Sequence, residues 1–309
     1  MASSQPLVSI GLPVYNGSNY IEKTIESILS QSYENFELII CDNASTDATA
    51  SICERFVATD KRVSYFRQQK NLGASRNFNS TFEKASGKYF KWASHDDLLG
   101  PDNIRDCVEF LENHDDYVIC WPHMDYIDEN DNHLRNQSIV NLSMEGDSFV
   151  SRIHDLFNFQ IAGDDVVPTI FALVRSSALA NTRLWQRFTS SEEILMLELL
   201  MQGKVKQLEQ TGLHFRIHNE SAFHKNRTPA EREKWFDTEK HYVLQFPVWF
   251  LLVRYFNLVA HSRLDLWEKL RCYYQIIRRA VFLWRRYLGD IVKFLGQFVG
   301  YRFEYKDAS

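Results

Sequence analysis

Leu7-Val8-Ser9-Ile10-Gly11-Leu12 is a short apolar run that stops at Pro13, and Ile21, Ile25, Ile28 and Leu29 follow it at helical spacing. The run reads as a buried strand. Asn19, with Glu22 three residues on, carries the capping-box signature of a helix start. The same pattern repeats outward along the chain. Phe36–Cys41 is a second apolar strand, with a helix from about Thr46. Val63–Phe66 precedes a helix over Ala74–Lys84, and Tyr89–Trp92 precedes one that opens at Pro101 and Asp102 and runs to about Glu112. Val118–Trp121 is a fifth strand. Alternation of short apolar strands with helices predicts an α/β fold with a mainly parallel sheet covered on both faces. Ligands of such sheets bind beyond the carboxyl ends of the strands, so the residues just after each strand are the informative ones.

Those positions carry unusual groups. The first strand ends in Pro13-Val14-Tyr15-Asn16 and the second in Asp42-Asn43-Ala44-Ser45-Thr46-Asp47. Asn71-Leu72-Gly73-Ala74-Ser75-Arg76-Asn77 follows the third, and the fourth ends in Ser94-His95-Asp96-Asp97. Adjacent carboxylates repel unless a positive charge lies near. Asp96 and Asp97 therefore suit a divalent cation of the oxygen-seeking kind, Mn²⁺ or Mg²⁺, or else stand in solvent and cap the next helix. Asp42 closes an otherwise apolar strand, where it accepts hydrogen bonds from a base or ribose or starts an Asx-turn; Asp47 suits a helix cap. No G-x-G-x-x-G follows the first strand, against a dehydrogenase. Pro13–Gly17 has one glycine and no Lys or Arg, against the triphosphate loop of a nucleotidyltransferase.

In order and spacing, the four motifs over residues 6–125 resemble those of the family 2 glycosyltransferases. The resemblance implies a GT-A nucleotide-sugar-binding fold, Rossmann-like, and an inverting transfer from a nucleotide-sugar donor, UDP by preference, to a glycan or lipid-linked acceptor in cell-surface polysaccharide synthesis. It implies that Pro13, Tyr15 and Asn16 line the base and ribose site, that Asp42 bonds the base, and that Arg76 approaches the base or diphosphate. Asp96 would touch the ribose or sugar, and Asp97, with Asp96 beside it, would ligate the metal. His95 stands where the family more often has an acid. Further on, Ser190–Gly203 resembles the segment whose acidic pair opens a helix and supplies the base; Glu192 and Glu193 are the candidates, with Glu192 in register. Phe215–Ser221 resembles an Arg-x-His-x-x-Ser loop, placing Arg216 and His218 near the phosphates. A member that keeps the fold only to bind nucleotide-sugar or to act as a scaffold is the alternative.

The rest of the chain adds constraints. Residues 1–225 read as the GT-A domain, with a donor half over about 1–122 and an acceptor half over about 123–225 that includes a strand at Ile170–Val174 and a helix at Glu192–Gln202. Residues 226–309 read as a helical, basic and aromatic extension. Ten basic residues against three acidic ones fall between Arg254 and Arg302, a local +7 in a chain of net charge −5. The overall charge gives no reason to expect nucleic acid. Arg271, Arg278 and Arg285 recur every seven residues, as do Arg279, Arg286 and Lys293, and so form helical stripes. With Trp and Tyr among them, residues 254–302 suit an anionic membrane surface, with packing on the catalytic domain or homo-oligomer formation as the alternative. Gly289 is a candidate helix break. Five scattered cysteines without a CxxC pair, no signal-peptide pattern and no long apolar run predict reduced thiols and a cytoplasmic chain, peripheral at the inner face of the membrane.

Overall fold

A computed structural model describes residues 5–134, 142–163, 167–219, 221, 228–239 and 246–298. The expected domain boundary at 225/226, and Arg302, lie outside them. The first half alternates as expected: β1 (Val8–Val14), α1 (Ile21–Leu29), β2 (Phe36–Asp42), α2 (Thr49–Thr59), β3 (Val63–Arg67), α3 (Ala74–Phe82), β4 (Tyr89–Trp92), β5 (Leu98–Leu99) and α4 (Asn103–Asn113). β6 (Tyr117–Ile127) and α5 (Phe149–Ala162) follow, then a 3-10 turn over Val167–Phe171, β7 (Leu173–Arg175), α6 (Ser176–Ala180), α7 (Ser191–Leu200) and β8 (Lys204–Arg216). Four helices close the described chain: α8 (Pro229–Phe236), α9 (Pro247–Ala260), α10 (Leu266–Phe282) and α11 (Trp284–Phe298).

The eight strands form one sheet in the order β3-β2-β1-β4-β7-β6-β8-β5. β1, β2, β3 and β4 pair in parallel, as do β6 and β8. β7 runs antiparallel to both β4 and β6, and β5 antiparallel to β8. The sheet is thus parallel over β1 to β4 and mixed beyond them. Its central strands are buried on both faces: all seven residues of β1 are enclosed. Ile21, Ile25 and Ile28 of α1 are buried with them.

Several boundaries moved for identifiable reasons. The Asn19 capping box does not form: Gly17 O accepts from the amides of Tyr20 and Ile21, and the helix starts two residues later. β6 runs past Pro122 because the parallel partner, β8, shifts register around Trp121 and His123, so the residue that cannot donate sits at an irregularity. Ile170 and Phe171 belong to the 3-10 turn rather than to a strand. Gly289 lies inside α11, and the break falls instead at Leu283, between α10 and α11.

Candidate active site

β4 ends against β1 with Ala93 donating to Gly11 O, and the chain turns through Ser94–Asp97 before β5. Thr24, on the buried face of α1, braces that turn by hydrogen bonding the carbonyls of His95 (3.0 Å) and Asp97 (2.8 Å). Gly17 is required here, since a Cβ would come within 2.5 Å of the His95 ring. β8 brings the partners. Asp96 accepts from the Ser94 hydroxyl, and its other oxygen lies 2.9 Å from His218 Nε2. Asp97 Oδ1 accepts from the Arg216 amide at 2.9 Å; Oδ2 is enclosed with no hydrogen-bond partner.

The electrostatics of the pair follow. Burial raises the Asp97 pKa well above the usual carboxylate value, and the Asp96 charge adds to it. Burial also acts to raise Asp96, but the charge of His95 and hydrogen bonds from His218 and Ser94 outweigh it and hold the carboxyl low. An enclosed carboxylate oxygen without a donor, beside an ionised carboxylate, fits a hard divalent cation, whose charge would return Asp97 to its anionic form.

Arg216 is 1% exposed and faces inward. It donates to the carbonyls of Asp96 (2.7 Å) and Asp128 (2.9 Å), pairs with Asp131 at 2.5 Å, and lies over the Tyr20 ring. His218 packs against the same ring, with centroids 4.6 Å apart. Arg216 therefore braces the Asp-Asp turn from beneath.

The first two strand ends are zipped together. Asn16 takes the left-handed conformation (φ 53°), its amide donates to Ser45 Oγ, and its Oδ1 accepts from Thr46 N. Asp42 is fully enclosed, accepting from Ser45 N (2.8 Å) and the Tyr65 hydroxyl (2.6 Å), so it ties down the loop that follows β2. Asp47 accepts from Ser18 N and Thr49 N at the start of α2. Pro13 is buried in β1, whereas Tyr15 and Asn16 are exposed at the mouth. On the far side, Asn43 holds the 71–73 loop through Asn71 Oδ1 and Leu72 N. Gly73 has φ 87°, and a Cβ there would meet the backbone of Phe236 and Asp237. Arg76 pairs with Glu239 at 2.7 Å, which Lys70 also reaches.

Glu192 and Glu193 stand in the first turn of α7, after Ser190 in a left-handed conformation (φ 65°). They have different surroundings. Glu193 Oε2 accepts from Gln160 (2.7 Å), from the Tyr255 hydroxyl of α9 and from Arg279 of α10 (3.1 Å). Glu192 is half-buried beside it.

The model of glycosyl transferase family 2 matches residues 9–179, more than half of the chain. The chain belongs to glycosyl transferase family 2. Among its relatives, a Bacillus subtilis strain 168 protein provisionally named teichuronic acid biosynthesis glycosyltransferase TuaG is 36% identical over 111 residues, 36% of this chain and 44% of that protein. An uncharacterized glycosyltransferase of Rickettsia typhi is 37% identical over 118 residues, 37% of this chain and 36% of that one. The chain thus spans less than half the length of these curated relatives. The crystal structure of S. aureus TarS 1-349 in complex with UDP-GlcNAc superposes with a TM-score of 0.66 at 15% identity, covering 94% of this chain and 80% of that one. That likeness carries the GT-A fold.

Other residues of this family 2 site escaped the sequence reading. Lys91 is a lone charge in the apolar strand β4, fully buried, donating to Phe171 O on the same side of the sheet end as Asp97. Burial lowers its pKa to about 8. The isolated Lys of Tyr89–Trp92 was the visible signal. Thr24, Tyr20 and Asp131 gave none, because only the fold brings them to the motif. Arg279 corrects the stripe assignment: it is buried against Glu193 and Gln160, and Arg278 pairs with Asn158. The five cysteines are free and buried.

Proposed function

We propose that the chain is an inverting, metal-dependent glycosyltransferase that moves a sugar from a UDP-sugar to a glycan or lipid-linked acceptor in polysaccharide synthesis. The observation that carries this reading is Asp97 Oδ2, enclosed and without a donor beside Asp96, at the strand-end edge where family 2 membership leads one to look. Asp97 and Asp96 would hold Mn²⁺ or Mg²⁺, which when bound supplies positive charge to the leaving diphosphate. Tyr15 and Asn16 form the mouth for base and ribose, Asp42 and Pro13 its floor, and Arg76 its far rim. Arg216 and His218 fix the Asp pair in place. Glu192 takes the proton of the acceptor hydroxyl as that oxygen attacks the anomeric carbon and the bond to the diphosphate breaks on the opposite face, so the configuration inverts. Glu193 accepts from Gln160, Tyr255 and Arg279, and Glu192 is the acid in register with the family's base.

Residues 1–225 supply this chemistry and the C-terminal part, 226–309, its location. Among the described residues no helix is long and apolar enough to cross a membrane. On α10 and α11, Leu266, Trp267, Tyr274, Ile277, Val281 and Trp284 are each more than half exposed, with Arg271, Arg285 and Arg286 exposed among them. An apolar face bordered by arginines suits peripheral contact with anionic lipid at the cytoplasmic face, where a lipid-linked acceptor resides.

Calorimetric titration with UDP, GDP and dTDP, each with and without Mn²⁺, tests the donor site. One nucleotide should bind in a metal-dependent way to the wild type and not to Asp97→Asn. Failure of all three to bind folded protein would replace this reading with the scaffold alternative.

A further inference from the structure

A second cluster of metal-ligating side chains lies on β6 and β8, away from the Asp-Asp turn. Asp125 and His214 are register partners on these parallel strands. The chain leaves β6 at Ile127, turns through Asp128–Asn132 with Asp131 in a left-handed conformation (φ 70°), and returns so that His133 bridges Ile127. The return places His133 Nδ1 2.7 Å from Asp125 Oδ2 and the His133 ring 5.5 Å from that of His214, nearly perpendicular to it. One ligand atom from each of the three residues lies within 4.8 Å of the others.

An Asp125–His133 ion pair alone does not account for this arrangement. His214 Nδ1 is enclosed with no hydrogen-bond partner, and a buried polar atom left in that state costs roughly 1–3 kcal/mol. In a tetrahedral site with bonds of about 2.0–2.1 Å, neighbouring ligand atoms stand roughly 3.4 Å apart. The cluster is within about 1.4 Å of that spacing, a distance side-chain rotation covers. Two imidazoles and one carboxylate form the donor set of a zinc-class ion, with water in the fourth position; Mg²⁺ and Ca²⁺ ask for oxygen throughout.

We propose that Asp125, His133 and His214 form a zinc-class metal site, separate from the Asp96/Asp97 cation, that fastens the 128–133 return against β8. The fastened segment matters to the donor side. Its Asp128 carbonyl and Asp131 carboxylate grip the Arg216 guanidinium, and Asp131 also pairs with Lys23 of α1. The ion sits two residues along β8 from Arg216, about 7 Å, and stiffens the brace without touching substrate.

The test uses the full chain, stripped with chelator and titrated with Co²⁺ as a spectroscopic probe, with Zn²⁺ competing. The expected result is one equivalent of Co²⁺ with the intense visible bands of a tetrahedral nitrogen–oxygen site, displaced by Zn²⁺. The bands should persist in Asp97→Asn and vanish in His133→Ala, an exposed position where truncation leaves the core intact; His214→Gln should weaken binding at least tenfold. Bands that survive His133→Ala would overturn the proposal. So would bands lost in Asp97→Asn, which would assign the ion to the donor site, or the absence of tetrahedral bands altogether. None of these readouts depends on sugar transfer.

Discussion

Replacing Glu193 with alanine removes the carboxylate that pairs with Arg279 among the described residues. That guanidinium is 4% exposed, lies over the adjoining rings of Phe157 and Tyr255, and reaches Glu193 at 3.1 Å and Gln160 at 2.5 Å. A buried charge stripped of its partner costs about 3–5 kcal/mol. With a urea dependence on the order of 3 kcal/mol/M, the unfolding midpoint should fall by roughly 1–1.7 M. Joint replacement, Glu193→Leu with Arg279→Met, leaves no stranded charge and should recover most of the loss. Glu192→Gln should behave oppositely. Its midpoint stays close to that of the wild type, while transfer falls by about 10²–10⁴, the usual worth of a general base. Tryptophan fluorescence against urea and nucleotide release from the donor read the two quantities separately. A Glu193→Ala protein as stable as wild type but devoid of transfer would refute the reasoning and exchange the two roles.

Lys91→Met tests the buried ammonium. Because burial depresses the folded pKa of Lys91 to about 8 from 10.5, the unfolded chain keeps its proton to higher pH, and stability rises with pH between the two values. The rise should reach about 3 kcal/mol in full and be absent from the variant; a stability difference that does not change between pH 7.5 and 10 would show that Lys91 keeps its proton in the fold as it does in the unfolded chain. Trp267→Glu with Ile277→Glu should weaken co-sedimentation with phosphatidylserine vesicles at least tenfold, given about 1.5–3 kcal/mol for each apolar side chain buried. Unchanged sedimentation would remove α10 from the membrane. Asp97→Asn should also raise thermal stability in the absence of metal, since it removes a carboxyl whose ionised form burial, and then the Asp96 charge, disfavour in the fold; a lower midpoint in calorimetry would mean that Asp97 is held by charge pairing inside the fold.

The parallel half was legible because β1, β2 and β4 are buried on both faces and read as mostly apolar runs, while β3, at the sheet edge with only Val63 buried, is a short run flanked by turns. β8 was not, because Lys204-Val205-Lys206-Gln207-Leu208-Glu209 has a solvated face and pairs through an irregular register. The strand-end motifs could be quoted in advance, but their partners could not. Asp97 meets Arg216, and Glu193 meets Arg279, only through long-range packing that carries no local pattern. Arg279 shows how a period misleads: its seven-residue spacing from Arg286 suggested a shared solvated stripe, yet the turn at Leu283 gives the two residues different surroundings. Asp42 shows the converse. A carboxylate after an apolar strand suits a ligand or its own loop, and beside the bond from Ser45 it takes one from Tyr65, a residue no local pattern joins to it.

The insertion of β8 between β6 and β5 has a consequence for how the protein is made. β5 follows Asp97 directly, but the strand it needs emerges late, and the Arg216 amide that fixes Asp97 lies 119 residues downstream. At about 5–20 residues per second, a ribosome takes roughly 6–24 s to deliver it. Through that interval the nascent sheet has an unfilled slot beside β6 and an Asp pair with neither Arg216 nor His218. A chain released before residue 218 would keep most of its strands while the brace of its donor edge stayed incomplete.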